Sequence, residues 1–166
     1  QGRGRTIGAE VLSTYQNKQW FAWLAYSLSK STRRSTAAGP NYPFDFDQTH
    51  DLVVATTYKT RDGRWQFGGR FNYSTGKPAT PIIGAVFDSD GDRYIPINGE
   101  INSTRVRAAH QLDLRVDRIW KFKTWALSAF LDINNAYMNP AVIQYQYNFD
   151  FTQRASIENI PILPSI

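Results

Sequence analysis

Three carboxylates stand two residues apart in "DSDGD", at Asp88, Asp90 and Asp92. Hard cations such as calcium favour oxygen ligands at that spacing, but the twelve-residue calcium loop also needs glycine at its sixth position and a bidentate glutamate at its twelfth. Those positions hold Arg93 and Gly99, so the competing reading is a solvated Asp/Gly turn. His50 and His110 each open an apolar run, they are far apart in sequence, and no His-x-x-x-His or paired-Glu spacing accompanies them. That points to hydrogen bonding at a strand end rather than to a metal. There is no Gly-x-Ser-x-Gly elbow. The opening "GRGR" lacks the strand-to-helix context of a phosphate loop. No catalytic constellation emerges, and no cofactor is expected.

A second set of polar residues recurs with a period of two. Glu10, Arg70, Asn72, Asp113, Arg115, Asp117 and Asp132 alternate with apolar neighbours. They either line a water-filled space and touch what passes through it, or pair across strands and satisfy a polar wall. Arg70 and Arg115 are the strongest candidates for ligand contact, because a guanidinium grips carboxylates and phosphates in two places at once. Tyr42, Phe44, Phe46 and Tyr94 lie in long connecting segments, where they either stack on a ligand or pack the segments together.

The elements that must carry these residues read as strands. In "WQFGGRFNYSTG", Trp65, Phe67, Gly69, Phe71 and Tyr73 fall on one side of an extended chain, and Gln66, Gly68, Arg70, Asn72 and Ser74 on the other. The same alternation runs through 6–16, 20–30, 49–60, 110–120 and 125–134. Short turns are predicted at 17–19, 61–64 and 121–124, the second marked by Asp62-Gly63. Long loops are predicted at 31–48 and 76–104, so short and long connections alternate strictly. Trp20, Trp65, Trp120 and Trp125 all lie beside the short turns. The pattern predicts an all-β, antiparallel, up-and-down transmembrane β-barrel wall. It has about six strands of a length that crosses a bilayer at a tilt, aromatic residues at the interface and long outer loops. A soluble β-sandwich is the alternative.

Composition narrows the classes. The chain has 166 residues, with 42% hydrophobic and 14% aromatic content, too rich in these types for a disordered segment. It has no cysteine, so disulfides and thiolate metal sites are excluded. A mean hydropathy of -0.46 does not weigh against a barrel, whose strands are apolar on one side only. The net charge of +5 is scattered, without a basic helix or RNA-binding motif, so nucleic acid is not an expected partner. No charged-then-apolar signal sequence follows Gln1, so the expectation is that a signal was removed or that the chain begins mid-protein.

Four segments together carry a resemblance. "FDFDQTHDLVVATTY" (Phe44 to Tyr58) opens a strand with Asp47-Gln48-x-His50. "GGRFNYSTGKPATP" (Gly68 to Pro81) holds Gly-x-Pro-x-Thr-Pro. "HQLDLRVDRIW" (His110 to Trp120) has a Leu-Asp-x-Arg core, and "LDINNAYMNP" (Leu131 to Pro140) follows. In order and spacing they resemble the C-terminal part of the barrel of TonB-dependent outer-membrane receptors, over nearly the whole of 1–166. The resemblance implies active uptake of a scarce nutrient, such as a siderophore or another large ligand, without enzymatic activity. It implies localisation in the bacterial outer membrane. The implied partners are outer-membrane lipid and lipopolysaccharide, the remainder of the barrel and its plug, and a TonB-type energy-coupling protein. Arg33 and Arg34 then stand where lipopolysaccharide phosphates are met, or in a solvated loop.

A family barrel has roughly 22 strands, and the plug and earlier strands have no counterpart here. The chain is therefore expected to be a fragment or a split part of such a receptor, with "NIPILPSI" (Asn159 to Ile166) beginning its last strand. Residues 143–152 are expected to form half of a raised hairpin, with a seventh membrane strand as the alternative. A passive porin, or a structural subunit of an outer-membrane assembly, is the other functional reading.

Overall fold

Asparagine and glycine set the first two reversals. Asn17 Oδ1 accepts from the amides of Gln19 (2.9 Å) and Trp20 (2.8 Å), closing the first turn. Gly63 takes a φ of +64° in the second, which an L side chain adopts only under strain. The third turn centres on Lys123-Thr124, with the Phe122 and Trp125 rings stacked at 4.0 Å. Trp125, expected to open the strand 125–134, therefore belongs to the turn, and the strand begins one residue later at Ala126.

The computed structural model describes residues 2–159 and 163–165. In chain order the strands are β1 (Arg3–Gln16), β2 (Trp20–Arg34), β3 (Tyr42–Pro43), β4 (His50–Lys59), β5 (Trp65–Ser74), β6 (Pro78–Ala79) and β7 (Ile82–Asp88). They continue with β8 (Arg93–Asn98), β9 (Thr104–Arg105), β10 (Ala109–Lys121), β11 (Ala126–Asn134), β12 (Val142–Tyr147), β13 (Arg154–Glu158) and β14 (Leu163–Ser165). The fold is all-β and antiparallel, with no helix among the described residues. The main sheet runs β1-β2-β4-β5-β10-β11-β14, with β3 added to the end of β2. This up-and-down order is the one the alternating turns predict. The sheet is open: its ends do not pair with each other, and β1 is exposed along all 14 residues.

Three features depart from the expected elements. β1 and β2 are longer than 6–16 and 20–30, since Arg3 to Arg5 pair with Thr32 to Arg34. The segment 76–104 folds into a ribbon, with β6 and β9 paired at its base and β7 and β8 at its tip. Alternation there is interrupted by Pro and Gly, which masked it. Residues 142–147 pair with 154–158 in a separate two-stranded sheet, so a hairpin is present, with its turn at 148–153. In the 159–166 segment, Leu163–Ser165 pairs with β11, while Ile160, Pro161, Ile162 and Ile166 lie outside the described residues.

The register divides the main sheet into two faces. Tyr26, Leu52, Tyr73 and His110 form one cross-strand row, and Trp20, Tyr58, Phe67, Val116 and Leu131 another. Between these rows lie Leu24, Val54, Phe71, Leu112 and Leu114, so the middle of this face is apolar apart from Ser13 and Thr56. The opposite face carries Glu10, Arg70, Asn72, Asp113, Arg115, Asp117 and Asp132, interrupted by Leu12, Phe21, Trp23, Val53 and Phe130. All seven polar residues expected to share a face do share one.

Burial is inverted relative to a water-soluble domain. No large hydrophobic side chain is buried among the described residues; the buried polar residues are Ser31, Asp47, Asn102, Asp113 and Asn135, and Gly76 and Pro78 are buried beside them. Ordinarily Ile, Val, Leu and Phe fill the interior, and polar residues enter it only when paired. Here the packed interior consists of hydrogen-bonded polar groups, and the apolar side chains lie on the surface.

Candidate functional site

The polar face is organised around Asp113. Arg70 reaches across from β5 and donates to Asp113 Oδ2 through Nε (3.0 Å) and Nη2 (2.7 Å). Gln111 Nε2 (2.5 Å) and the Asn135 amide (2.9 Å) donate to Asp113 Oδ1. One carboxylate thus ties β5, β10 and the chain leaving β11. Asn135 has a φ of +56°, and its Oδ1 accepts from the Asn139 amide at 3.0 Å. Asn139 Nδ2 in turn donates to the His110 carbonyl at 2.9 Å.

Arg115 forms the second centre. Its guanidinium grips Asp117 through Nε (3.1 Å) and Nη2 (2.8 Å), lies 3.7 Å from Asp132, and covers the Phe130 ring at 4.2 Å. Gly68 sits between the two arginines in the sheet. Together with Ala55 and Thr57 it floors a shallow hollow of about 240 Å³, walled by Arg70, Arg115 and Asp132. The Arg70 side chain is 54% exposed and that of Arg115 is 43% exposed. Each is held by carboxylates on one side and open on the other. The hollow suits transient contact with a polar or anionic group. Asn72 lies beside it in β5, opposite Gln111 and Val53. Glu10 lies at the sheet edge, opposite Ser27, away from this centre.

A second buried carboxylate, Asp47, lies where the long connections begin. Asp47 is held by the Arg105 guanidinium, and its Oδ1 accepts from the Ser31 amide at 2.5 Å. Arg105 Nη1 also donates to the carbonyls of Asp47 (2.7 Å) and Gly76 (3.0 Å). Burial raises the Asp47 pKa, but Arg105 and the Ser31 amide outweigh it and hold the carboxyl below its ordinary 3.8. Beside this clasp, Asn102 Nδ2 donates to the Pro43 carbonyl (2.8 Å) and Asp45 Oδ1 (2.6 Å), and its amide donates to Thr80 Oγ1 at 3.0 Å. Gly76 is required by close approach, since a Cβ there would stand 1.8 Å from the Val106 carbonyl oxygen.

The loop aromatics form two separate groups. Phe44 and Phe46 pack edge to face at 5.5 Å, with Arg33 3.9 Å over Phe44. Tyr42 bonds Ser35 through its hydroxyl at 3.0 Å. Tyr94 packs against Phe87 (5.1 Å) and against Phe149 of the β12–β13 hairpin (5.6 Å). Its contacts join two loops, and the structure does not bring it to Tyr42, Phe44 or Phe46 as one binding surface.

The remaining candidates serve turns and rims. Asp88 Oδ1 accepts from the amides of Asp90 (3.3 Å) and Gly91 (3.4 Å), and its Oδ2 pairs with Arg93. Asp92 has a φ of +46°. The triplet therefore builds the β7–β8 turn, and no cluster of three metal-ligand side chains occurs among the described residues. His50 bonds Tyr26 at 2.8 Å and His110 bonds Tyr137 at 2.6 Å, both through Nδ1. Desolvation, followed by the Asp113 charge, pushes the Tyr137 phenol above its ordinary 10.0. The hydroxyl thus stays protonated. Arg33 and Arg34, expected together in a loop, end β2 and point to opposite faces.

Sequence reasoning missed Arg105, Asn102 and Gln111. No local pattern marks Arg105 or Asn102, because the carboxylates they bind, Asp47 and Asp45, are more than fifty residues away. Gln111 was detectable in principle, two residues before Asp113 on the same face. Comparison of the chain with protein-family models, with curated proteins and with solved structures finds no match.

Proposed function

We propose that this chain forms part of the barrel wall of a TonB-dependent receptor in a Gram-negative outer membrane. In this reading the apolar face meets lipid, the polar face meets the lumen, and the β3, β6–β9 and β12–β13 segments lie on the outer side. The observation that carries the reading is the inversion of burial: a largely apolar face with no large hydrophobic side chain buried beneath it. Soluble monomers rarely leave a contiguous apolar face uncovered. Aromatic residues at its rim support the reading, as does Arg118, which lies 4.5 Å over Trp65 and 5.6 Å over Trp120. A cation held by two indoles suits the boundary between lipid and water.

The receptor class rests on the four resembling segments. Their residues make the long-range ties: Asp47 and Gly76 to Arg105, Thr80 to Asn102, and Asp113 to Asn135. The role is binding and energised translocation of a scarce nutrient, with Arg70 and Arg115 on its path. The β1 edge pairs with a further strand of the barrel, since unpaired backbone groups in hydrocarbon cost several kcal/mol each.

Spin labels at 65, 67, 71 and 73 of the membrane-embedded protein test the orientation. Collision with oxygen should exceed collision with water-soluble relaxants at all four, and the order should reverse at 66, 70 and 72. Greater access of the water-soluble relaxant at 67 and 71 would favour a soluble sandwich. Energised uptake separates a receptor from a passive porin: dissipating the inner-membrane potential should abolish accumulation of ligand.

A further inference from the structure

The apolar face changes character at one end of the β1–β2 hairpin. By register, Arg3 stands opposite Arg34, Arg5 opposite Thr32, and Ile7 opposite Lys30. All six side chains belong to the apolar face, beyond the Tyr26 row. With Asn41 they line a hollow of about 490 Å³. Four cations, a hydroxyl, an amide and one aliphatic side chain share it, and no acidic residue lines it. None of the four is in an ion pair among the described residues. Arg34 Nε is buried without a hydrogen-bond partner, although a buried donor ordinarily finds one.

Immediately below, on the same face, lie Ile7 (57% exposed), Leu28 (41%), Ala9 and Val11 (56%). The order along the hairpin is therefore cation cluster, aliphatic strip, aromatic rim. That order matches an amphiphile with a phosphate at one end and hydrocarbon below. Guanidinium groups bind phosphate oxygens bidentately. A free anion would use the cations but would leave the strip beside them uncovered.

We infer that Arg3, Arg5, Lys30 and Arg34 form a binding site for the phosphorylated headgroup of a membrane lipid, whose chains lie along Ile7, Leu28, Ala9 and Val11. The inference rests on the proposed lipid-facing orientation of this face. The sequence left Arg33 and Arg34 between lipopolysaccharide phosphate contact and a solvated loop. The structure turns Arg33 away onto Phe44 and sets Arg34 beside Arg3, Arg5 and Lys30.

The test is intact-complex mass spectrometry of the protein extracted in neutral detergent and incubated with phosphatidic acid and phosphatidylcholine. The expected result is retention of phosphatidic acid at least tenfold over phosphatidylcholine. The preference should be lost in Arg3→Gln/Arg5→Gln/Arg34→Gln and kept in Arg61→Gln/Arg64→Gln/Arg93→Gln, which removes the same charge elsewhere. Glycerol phosphate at equal concentration should not displace the lipid.

Equal retention of the two lipids, or a preference that survives the first triple variant, overturns the site while leaving the membrane orientation intact. Displacement by glycerol phosphate overturns the lipid assignment in favour of a small-anion site. Retention of neither lipid, with water-soluble relaxant reaching a label at 71, overturns the membrane reading itself and the site with it.

Discussion

The Arg105 guanidinium closes on the buried carboxylate of Asp47 across 58 residues of sequence, and through it the two long connecting segments share one anchor. Asp47 lies between β3 and β4, and Arg105 ends the ribbon that begins at β6. Because Arg105 also holds the Asp47 and Gly76 carbonyls, the clasp fixes backbone as well as side chain. Arg105→Ala would strand a buried charge, a loss on the scale of about 3 kcal/mol. Limited proteolysis at 35–49 and 76–108 should become much faster in this variant. Cleavage unchanged from wild type would show that the loops are held elsewhere.

The same clasp sets a pH dependence. The folded Asp47 pKa lies below its ordinary 3.8, so the unfolded chain binds the proton more readily. The stabilisation is then fully present above about 4 and is lost as pH falls through the lower, folded value. Amide exchange at Ser31, whose N–H donates to Asp47, should accelerate only below the ordinary carboxylate range. Asp47→Asn should remove that acid-dependent step. Acceleration beginning near pH 6 would point to histidine instead.

Arg70 and Arg115 look alike in the sequence, yet their removal should differ. Arg70 faces a carboxylate whose side chain is only 8% exposed, whereas Asp117 and Asp132 beside Arg115 are 18% and 28% exposed. Arg70→Ala should cost about 2 kcal/mol, the scale of a hydrogen bond to a buried charge. Arg115→Ala should cost about 1 kcal/mol or less, as for a partly solvated pair. Pairing Arg70→Ala with Asp113→Asn should recover part of the loss. Denaturant unfolding in detergent gives all three values, and equal costs for the single variants would contradict the burial difference.

Two glycines give a contrast between turn strain and crowding. Gly63 needs only its positive φ, and the nearest atoms to an added Cβ are lysine side chains at 3.7 Å. Gly63→Ala should therefore cost about 1 kcal/mol. Gly76 has Val106 backbone in the place a Cβ would take. Gly76→Ala must move backbone and should cost about 3 kcal/mol, the upper part of the range for overpacking. Thermal unfolding should rank them in that order.

What the sequence discloses is what period two and turn chemistry can carry. Trp65 to Ser74 reads directly as a two-faced strand, and Asn17 and Asp62-Gly63 mark their reversals. The shared face of Asp113 and Asp132 follows because the short turn between β10 and β11 fixes the register of that hairpin, whereas Glu10 and Arg70 join it through the β2–β4 and β5–β10 pairings across the long connections. The ribbon from β6 to β9 was less legible, because Pro78, Pro81, Gly84 and Pro96 interrupt the alternation that identifies a strand. The basic hollow was hidden for a different reason. Arg3-x-Arg5 and Lys30-x-x-x-Arg34 share a face only once β1 and β2 are known to pair up to Arg34, and "GRGR" taken alone suggests a glycine-rich loop.

Adjacent residues of β5 give the sharpest test of which face meets lipid. Phe71 stands between Val54 and Leu112 on the apolar face, and Asn72 between Val53 and Gln111 on the polar one. An arginine on the lipid side near mid-bilayer costs about 2–4 kcal/mol, while one on the water side stays within about 1 kcal/mol. Phe71→Arg should therefore destabilise the protein strongly, and Asn72→Arg hardly at all, when unfolding is measured in lipid vesicles. In detergent the difference should shrink, because a micelle lets the side chain reach water more easily. If a soluble sheet covered the apolar face instead, Phe71→Arg would be equally damaging with and without vesicles. The vesicle dependence of the gap, more than its size, thus identifies the surroundings of this face.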